Sequence, residues 1–586
     1  MRRRLSGHGA SRGNALGRAR VRLPHRLEVE DQRIGPAQIS GELRRLAQAI
    51  DAVREEIRTL RGRLQQGTLS REVGEFLDVH ALLLDDPELR RGLDTRIRGG
   101  QGADSALRAE RDRLAAAFGD MDDPYLRARI EDIDLVIGRI HAALHRHDDT
   151  LQPVAGDILI ADTVAPAELA RLQAQGVLAV VTAAGSPLSH VAILARSLQL
   201  PLVTGTSQAL LQINDGDVLA VDGDSGEVIV EPSADDLRRH HARRQAHKRE
   251  IRQLNRLRRE PSRSVDGVDV RLWANAESVQ DVAHGHALGA AGVGLYRTEF
   301  LFLGRRSLPD EDTQFRAYRE LVLGMTGRTV TIRTLDLGAD KADASGLMLP
   351  DEPNPALGMR GVRLSLAHPH LLDTQLRAIA RASAWGPVRV LVPMVSNGEE
   401  MRAVRQRLQL AVEAVRAAGH ATAASIPLGA MIEVPAAALG LSGFIGQCDF
   451  LSIGSNDLLQ YLLAVDRGNE ALGPLSTPLH PAVPRLLRLI VDTAARHRVP
   501  LALCGEMAGD PALTPMLLAL GIGELSMHPA SLLPVRQAIR ESDIAALRRR
   551  CASLLRCADT AAVSRWLQRA QPVATRSPAA SASRSR

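Results

Sequence analysis

The chain has 586 residues, a hydrophobic content of 45% and a net charge of +6, which predicts a soluble protein of several domains. Its 74 basic residues are balanced by 68 acidic ones and only 2% of the chain is aromatic, which argues against nucleic-acid binding. The four cysteines form no CxxC pair, so we expect reduced thiols and a cytoplasmic location. No apolar run is long enough to span a bilayer or to act as a secretion signal, so we expect no membrane insertion.

The first part of the chain alternates between strand-like and helical patterns. Residues 7–22 contain Gly/Ser turns and a β-type run, which predicts the first strand of an α/β domain. Residues 36–147 have leucine, alanine, arginine and glutamate at helical spacing, with turn signals at residues 99–102 and 122–124, which predicts a helical hairpin or bundle. Because β-type runs resume after residue 156, the helical segment is predicted to be an insertion. These runs are Asp157–Ala161, Val177–Thr182, Leu202–Thr204 and Val218–Val221.

A histidine stands at the start of a helical pattern within this α/β domain. A Pro/Ser loop leads into an apolar-periodic stretch, which predicts Ser189 as the N-cap and His190 as the first helical residue. The unpaired N–H groups and partial positive charge of a helix N-terminus would stabilise a phosphoryl group on this imidazole. The alternative is a surface histidine near a helix start, since the chain contains 18 histidines.

Two further segments are dominated by polar residues. Residues 233–260 read as a charged helix with few apolar residues before Ile251, which predicts a solvated linker between domains rather than a nucleic-acid-binding element. The last residues, 573–586, have a composition typical of a disordered tail.

Eight β-type runs separated by helix-length segments follow between Val268 and Met527. Eight strands that alternate with helices are the pattern of a (β/α)₈ TIM barrel, so the whole chain is predicted to be a multidomain α/β protein. The predicted strands are Val268–Trp273, Val293–Tyr296, Val330–Leu337, Val388–Met394, Leu428–Val434, Phe450–Ile453, Leu501–Cys504 and Glu524–Met527.

Charged side chains lie at or after the ends of these predicted strands, where such barrels place their chemistry. Four arginines predict a site for a small, strongly anionic ligand, because guanidinium groups match carboxylate and phosphate oxygens. Glu433 and Asp457 could hold one Mg²⁺ that takes its other oxygens from water and phosphate. Cys504 is either a buried barrel cysteine or, beside a phosphorylated enol, a proton donor. The four arginines are Arg297, Arg333, Arg360 and Arg467.

These segments together resemble Enzyme I of the phosphoenolpyruvate-dependent sugar phosphotransferase system, over residues 9 to about 540. The resemblance lies in motifs that keep the family's order and spacing. They are Gly9-Ala-Ser-Arg-Gly13, Gly294-Leu-Tyr-Arg-Thr-Glu-Phe-Leu-Phe302, Ile332-Arg-Thr-Leu-Asp336, Met431-Ile-Glu-Val-Pro-Ala436, Ser452-Ile-Gly-Ser-Asn-Asp-Leu458 and Cys504-Gly-Glu-Met-Ala508.

The resemblance implies an arrangement of domains that agrees with the sequence pattern. A swivelling phosphohistidine α/β domain would comprise residues 1–35 and 148–232, with a helical HPr-binding bundle, residues 36–147, inserted into it. A linker helix, residues 233–261, would lead to the phosphoenolpyruvate-binding TIM barrel of residues 262–572. The family also implies a homodimer formed through the barrel, and a histidine domain that swings between barrel and carrier protein.

The resemblance further implies the role of each candidate residue. His190 would accept the phosphoryl group of phosphoenolpyruvate at Nε2 and pass it to a histidine of the carrier HPr. Glu433 and Asp457 would bind Mg²⁺, and Cys504 would protonate the enolate to give pyruvate. The helical segments around Glu75–Leu89 and Tyr125–His141 would dock HPr. The substrate's phosphate and carboxylate would be held by Arg297, Arg333, Arg360, Asn456 and Arg467.

The chain departs from the family in two loops. The family's loop commonly reads Thr-Asp-Ala-Gly-Gly-Arg-Thr-Ser-His, whereas this chain has Thr182-Ala-Ala-Gly-Ser-Pro-Leu-Ser-His190. Pro187 and Leu188 thus replace a cation and a hydroxyl, so the contacts of this loop with the imidazole are expected to differ. Ala339 replaces a usual glycine before Asp340 and Lys341, which is expected to stiffen that loop.

Three alternatives remain at this stage. An ATP-dependent dikinase or synthase would need a nucleotide-binding module, and the helical insert stands in its place. A catalytically silent regulatory or carrier-binding protein would have lost part of the arginine cage, which is present here. A nitrogen-related member of the family would carry an additional N-terminal sensory domain, and its absence from this sequence favours sugar uptake.

Overall fold

The computed structural model divides into two compact units, Met1–Glu250 and Ile251–Arg586. None of the helices in the described part of the chain is long and apolar enough to cross a membrane. The structure describes residues 2–22, 33–65, 84, 86–119, 133, 136–138, 140–141, 143–144, 154–164, 166–185, 190–198, 200–302, 307–338, 352–466, 472 and 475–571.

An eight-stranded mixed sheet organises the α/β part of the first unit, with the strand order β1-β8-β7-β3-β4-β5-β6-β2. All four strands predicted after residue 156 are present. The β-type run predicted within residues 7–22 belongs to β3 and is not the first strand, because β1 and β2 precede it and the chain turns at Gly13, whose φ of +130° favours glycine. The strands are β1 (Arg3–Ser6), β2 (His8–Ser11), β3 (Asn14–Val21), β4 (Asp157–Ala161), β5 (Ala179–Thr182), β6 (Leu202–Thr204), β7 (Val218–Asp222) and β8 (Glu227–Val230).

The helical segment is inserted between two neighbouring strands of this sheet. Strand β3 pairs in parallel with β4, and Arg18 lies opposite Asp157 although the whole helical segment separates them in sequence. Buried leucines of the helices share one hydrophobic core with one face of the sheet. The turn predicted at residues 99–102 separates two helices, and the turn predicted at residues 122–124 lies outside the described residues. The helices are α1 (Ile39–Gln65), α2 (Pro87–Arg98) and α3 (Ala103–Gly119).

The charged helix that follows the sheet, α7 (Ala234–Arg256), is less solvated than predicted. Asp236 and His240 are only 2% and 6% exposed. The Asp236 carboxylate accepts hydrogen bonds from Arg2 and Arg239, both at 2.7 Å, so its burial is compensated by paired charges that sequence periodicity does not reveal. The helices that precede α7 along the chain, after β4, are α4 (Pro166–Ala174), α5 (His190–Ser197) and α6 (Ala209–Gln212).

Eight parallel strands of the second unit close into a barrel in the order β10-β11-β12-β13-β14-β15-β16-β9, which confirms the predicted TIM-like fold. Strand β11 is shorter than predicted and ends at Arg333, so Asp336 lies in the loop after it. The strands are β9 (Arg271–Ala276), β10 (Val293–Tyr296), β11 (Val330–Arg333), β12 (Val388–Val392), β13 (Leu428–Ile432), β14 (Phe450–Gly454), β15 (Leu501–Cys504) and β16 (Glu524–Met527).

Helices surround this barrel and bury its outer face in one large apolar core. A smaller cluster of Leu295, Leu391, Met431, Phe450 and Cys504 brings together residues of different strands. The helices are α8 (Val279–Ala287), α9 (Glu311–Gly324), α10 (Val362–Ala367), α11 (Pro369–Ala382), α12 (Gly398–Ala417), α13 (Pro435–Gly440), α14 (Ser455–Leu463), α15 (Ala482–His497), α16 (Glu506–Gly509), α17 (Thr514–Leu520), α18 (Leu532–Arg540), α19 (Ile544–Arg549), α20 (Cys551–Leu555) and α21 (Thr560–Ala570).

Candidate functional site

His190 is the first residue of α5, as the sequence predicts. This helix packs against β2 and α4, so the backbone of His190 starts from a rigid part of the sheet domain. Its side chain, the predicted N-cap Ser189, and Pro187 and Leu188 lie outside the described residues. The contacts of the imidazole therefore stay a prediction.

At the carboxyl ends of the barrel strands, two buried carboxylates hold two arginines. The Arg333 guanidinium lies 3.1 Å from Glu299 Oε2 and 3.2 Å from Asp336 Oδ2. Arg360 donates to both oxygens of Asp336, from Nε at 3.0 Å and from Nη2 at 2.8 Å. The Glu299 carboxylate in turn accepts the backbone N–H of Asp336 at 2.9 Å. This network fixes both arginines by groups from two different strand ends.

The two arginines are firmly protonated. Burial by itself lowers the pKa of Arg333, but Glu299, Asp336 and Glu433 outweigh it and raise that pKa above its ordinary value. The pKa of Arg360 is raised in the same way, against burial, by Asp336 and Asp457. Paired carboxylates thus keep two largely buried cations charged at this edge of the barrel, where their guanidinium groups can bind an anion.

The other predicted ligand-binding side chains lie at different positions on this edge. Arg297 follows β10, is 38% exposed and donates to Glu277 at 2.7 Å, which places it on the more open side of the site. Asn456 lies in the first turn of α14, and its Oδ1 accepts the backbone N–H of Glu506 at 3.0 Å. Arg467 lies outside the described residues.

Asp457 lies close enough to Glu433 to influence the charge of that carboxyl group. Burial, followed by the charges of Asp457 and Asp336, raises the pKa of the fully buried Glu433 to about 8. One Glu433 oxygen accepts the backbone N–H of Met394 at 2.6 Å. Asp457 lies in the first turn of α14, where the helix dipole favours a carboxylate.

This pair of carboxylates fits a hard divalent cation, because a bound cation would relieve the repulsion that now favours protonation of Glu433. Within the residues that the structure describes, no group of three or more histidine, cysteine, aspartate and glutamate side chains is arranged to hold a metal ion. Two carboxylates suit a Mg²⁺ ion that keeps waters and binds substrate phosphate.

Cys504 ends β15 and is 2% exposed. Its thiol donates to the backbone oxygen of Ile453 at 3.2 Å, and its own backbone oxygen accepts the hydroxyl of Ser455 at 2.8 Å. Burial raises the pKa of the Cys504 thiol to about 11. The group therefore carries a proton at neutral pH and can act as an acid rather than as a nucleophile.

Three residues of the site were not among the predicted ligands. Glu299 and Asp336 stand in the quoted strand-end motifs, and their acidity beside Arg297 and Arg333 was the signal that could have identified them as partners. Tyr461 lies four residues after Asp457, on the same face of α14. Its contact with Arg360 spans a long stretch of sequence and carries no local signal.

Three family models of phosphoenolpyruvate (PEP)-utilising enzymes match the chain. They are the N-terminal domain over residues 6–129, the mobile domain over residues 153–226 and the PEP-binding domain over residues 251–544.

Curated proteins named phosphoenolpyruvate-protein phosphotransferase match almost the whole chain. The protein of Cupriavidus necator is 43% identical, over 91% of this chain and 94% of its own length. Those of Geobacillus stearothermophilus and Haemophilus influenzae are 37% and 36% identical, each over 92% of this chain and 93% of their own length.

Proposed function

The chain belongs to the phosphoenolpyruvate-utilising enzymes, and from that membership we propose that it is a phosphoenolpyruvate-protein phosphotransferase that phosphorylates its own His190. The observation that carries the proposal is the barrel edge. There Arg333 and Arg360 are held by buried carboxylates beside a carboxylate pair and a protonated thiol. The product of the reaction is pyruvate.

Substrate binding is assigned to the cationic side chains at this edge. Phosphoryl transfer depends mainly on positioning and on neutralising the charge of the phosphoryl oxygens. Fixed guanidinium groups supply both effects, because their donors are already oriented when the substrate arrives. The residues proposed to hold the phosphate and carboxylate of phosphoenolpyruvate are Arg297, Arg333, Arg360, Asn456 and Arg467.

Enzymes of this family need a divalent metal ion, which we propose to be Mg²⁺ held by Glu433 and Asp457. When bound, the ion would neutralise negative charge on the phosphate oxygens of the substrate. Glu433 would provide a ligand oxygen. The hydrogen bond that its carboxylate accepts from the Met394 amide fixes the orientation of the carboxylate.

Cys504 is proposed to complete the first half-reaction. The bond between the phosphorus and the enol oxygen breaks as the phosphorus bonds to His190 Nε2, which leaves the enolate of pyruvate. The Cys504 thiol then gives its proton to the methylene carbon, and the thiolate regains a proton from water. A thiol pKa of about 11 keeps the donor protonated before this step.

The second half-reaction is proposed to move the phosphoryl group from His190 to a histidine of the carrier HPr, as the first step of sugar uptake. The inserted helical segment, around Glu75–Leu89 and Tyr125–His141, is the proposed docking surface; much of it lies outside the described residues. We also propose a cytoplasmic homodimer that assembles through the barrel.

The proposed function is tested by labelling with phosphoenolpyruvate that carries ³²P in its phosphate. The purified protein with Mg²⁺ should gain an acid-labile label and release pyruvate, and His190→Ala should gain none. The matched control is His420→Ala, an exposed histidine of the barrel unit that should label like the parent. Omission of Mg²⁺ should prevent labelling. A folded parent that gains no label would contradict the function and favour a regulatory protein instead.

A further inference from the structure

Tyr461 contacts the arginine network without belonging to the set of predicted ligands. We propose that Tyr461 is a positioning residue for phosphoenolpyruvate binding, because its hydroxyl group holds both the Arg360 guanidinium and the loop that carries it. The inference rests on the proposed function and adds to it the residue that sets the geometry of one substrate-binding cation.

The hydroxyl group of Tyr461 joins two parts of the Arg360 loop. It donates a hydrogen bond to the backbone oxygen of Ala356, in the short 3₁₀ turn Pro355–Leu357 that precedes Arg360. It accepts a hydrogen bond from Arg360 Nη1 at 3.4 Å. The sulfur of Met394 lies 4.0 Å from the same oxygen. One phenol thus restrains the loop backbone and the side chain that the loop presents.

The guanidinium of Arg360 is held on more than one side. Nε and Nη2 bind the two oxygens of Asp336, so Asp336 fixes one edge of the plane. Nη1 faces Tyr461, while Nη2 lies 3.8 Å from Asp457 Oδ2. Tyr461 adds a contact on the Nη1 side, away from the bidentate pair, which limits the direction in which the remaining N–H donors can point.

The position of Tyr461 on α14 connects this cation to the proposed metal ligand. Asp457 occupies the first turn of that helix, and Tyr461 lies one turn later on the same face. A single rigid helix therefore sets the positions of Asp457 and, through the phenol, of Arg360. The substrate phosphate and its counter-charges would consequently be aligned by one element rather than by independent loops.

The phenol remains a donor over the working pH range. Burial raises the pKa of Tyr461, and Asp457, Glu433 and Asp336 add to the effect, while Arg360 opposes it. A protonated phenol can donate to Ala356 and still accept from Arg360. The proposal itself depends on these contacts rather than on the titration.

The test is the affinity for phosphoenolpyruvate in a His190→Ala background, where no phosphoryl transfer can occur and binding is measured at equilibrium. With Mg²⁺ present, calorimetry of His190→Ala/Tyr461→Phe should give a Kd about three- to tenfold higher than His190→Ala alone, as expected for the loss of one hydrogen bond of ordinary strength. With His190 intact, Tyr461→Phe should raise KM for phosphoenolpyruvate more than it lowers kcat.

A second tyrosine provides the matched control. The hydroxyl of Tyr318 donates to Gln314 at 3.1 Å and accepts from Gln375 at 3.0 Å, so it joins helices α9 and α11. Tyr318→Phe removes the same atom from the same unit and should leave Kd unchanged even if it lowers the melting temperature. In an Arg360→Lys background, Tyr461→Phe should have little further effect, because the two residues act as a unit.

An unchanged Kd for Tyr461→Phe, or an equal rise for Tyr318→Phe, would overturn the proposal. So would an undiminished effect of Tyr461→Phe in the Arg360→Lys background. Failure of the proposed function is distinguishable, because it appears as absent labelling of the parent chain and not as an altered affinity between variants. If His190→Ala itself fails to bind phosphoenolpyruvate, the inference about Tyr461 is contradicted as well.

Discussion

Among the buried residues at the barrel edge, some favour their neutral form and others stay charged. The Cys504 thiol, which ordinarily loses its proton near pH 9, is held protonated, and the Glu433 carboxylate favours its neutral form when no cation is bound. Arg333 and Arg360 remain charged in spite of burial, because acidic partners surround them. Each group is thus prepared for a different task by its neighbours rather than by its residue type.

Cys504→Ala should separate the two half-reactions. Pyruvate formation should fall by about a hundredfold or more, because a positioned general acid contributes about 10²–10⁴ in rate. Transfer between phosphorylated His190 and HPr should stay within about twofold of the parent. Rapid-quench measurement of both steps checks this. The matched control is Cys448→Ala, which removes another buried thiol and should leave both steps unchanged. Equal loss in both steps would remove Cys504 from the role of proton donor.

At the scale of single elements, helix α7 shows how a charged sequence can be partly buried. Its N-terminal half lies against the sheet, where Arg243 donates to the Asp222 carboxylate. Asp236 pairs with Arg2 and Arg4, at the start of the chain, and with Arg239 of its own helix. Its last turns contribute Leu254 to the core of the second unit. Residues 241–246, between these two parts, are exposed. The two ends therefore have separate anchors, one in each unit.

The packing of the N-terminal half of α7 against the sheet is predicted to weaken below pH about 6.5, the ordinary pKa of histidine. Burial lowers the pKa of His240, and its neighbours His241 and Arg244 lower it further, while Ala15 and Asp222 act in the opposite direction. Arg4, Arg239 and Arg243 line the same small cleft, together with Glu227 and Asp236. The folded state therefore binds fewer protons than the unfolded state, so its stability is complete above pH 6.5 and falls as the pH decreases.

Denaturation by urea at pH 7.5 and pH 5.5 measures this effect. The unfolding midpoint of the first unit should fall between these pH values in the parent and should fall less in His240→Gln. The control is His8→Gln, since His8 is an exposed histidine on β2 of the same unit and does not act on His240, so this variant should retain the pH dependence of the parent. A His240→Gln variant with the full pH dependence would show that another group is responsible.

At the scale of the whole molecule, the proposed sites of substrate binding and of carrier docking lie in different parts of the sequence. The barrel unit holds the arginine network, and the inserted helices share a core with the sheet that carries His190. Insertion between the paired strands β3 and β4 ties both ends of the helical segment to one sheet. A docking surface built on this segment can therefore stay in a fixed relation to the phosphorylated histidine domain.

Charge reversal on the insert should affect only the second half-reaction. Glu88 lies in the first turn of α2 with an exposed side chain, inside the predicted docking region. Glu88→Lys should lower the rate of transfer to HPr by up to about tenfold, with a stronger effect at low salt, because rim charges act mainly on association rates. Labelling by phosphoenolpyruvate should not change. The control is Glu413→Lys, an exposed glutamate on the barrel helix α12. Unaltered transfer at low salt would place the docking surface elsewhere.

Much of the architecture could be predicted from local patterns. The eight barrel strands and four strands of the sheet follow from short apolar runs, and residues just after those runs were correctly expected at strand ends. The strands β1 and β2 were not predicted, because each has only four residues and neither shows a clear apolar alternation. The partial burial of α7 was missed, because an ion pair between Arg2 and Asp236 joins positions far apart in sequence.

The sequence by itself determined the order of elements, the barrel and the residue types available at its edge, because hydrophobic period and turn chemistry act over neighbouring residues. Only the tertiary structure decided which groups pair. Asp336 binds both Arg333 and Arg360, and Tyr461 contacts Arg360 across 101 positions of sequence. Such contacts set burial, and burial sets the pKa of Glu433 and of Cys504. Chemistry at this edge therefore depends on distances that no local pattern records.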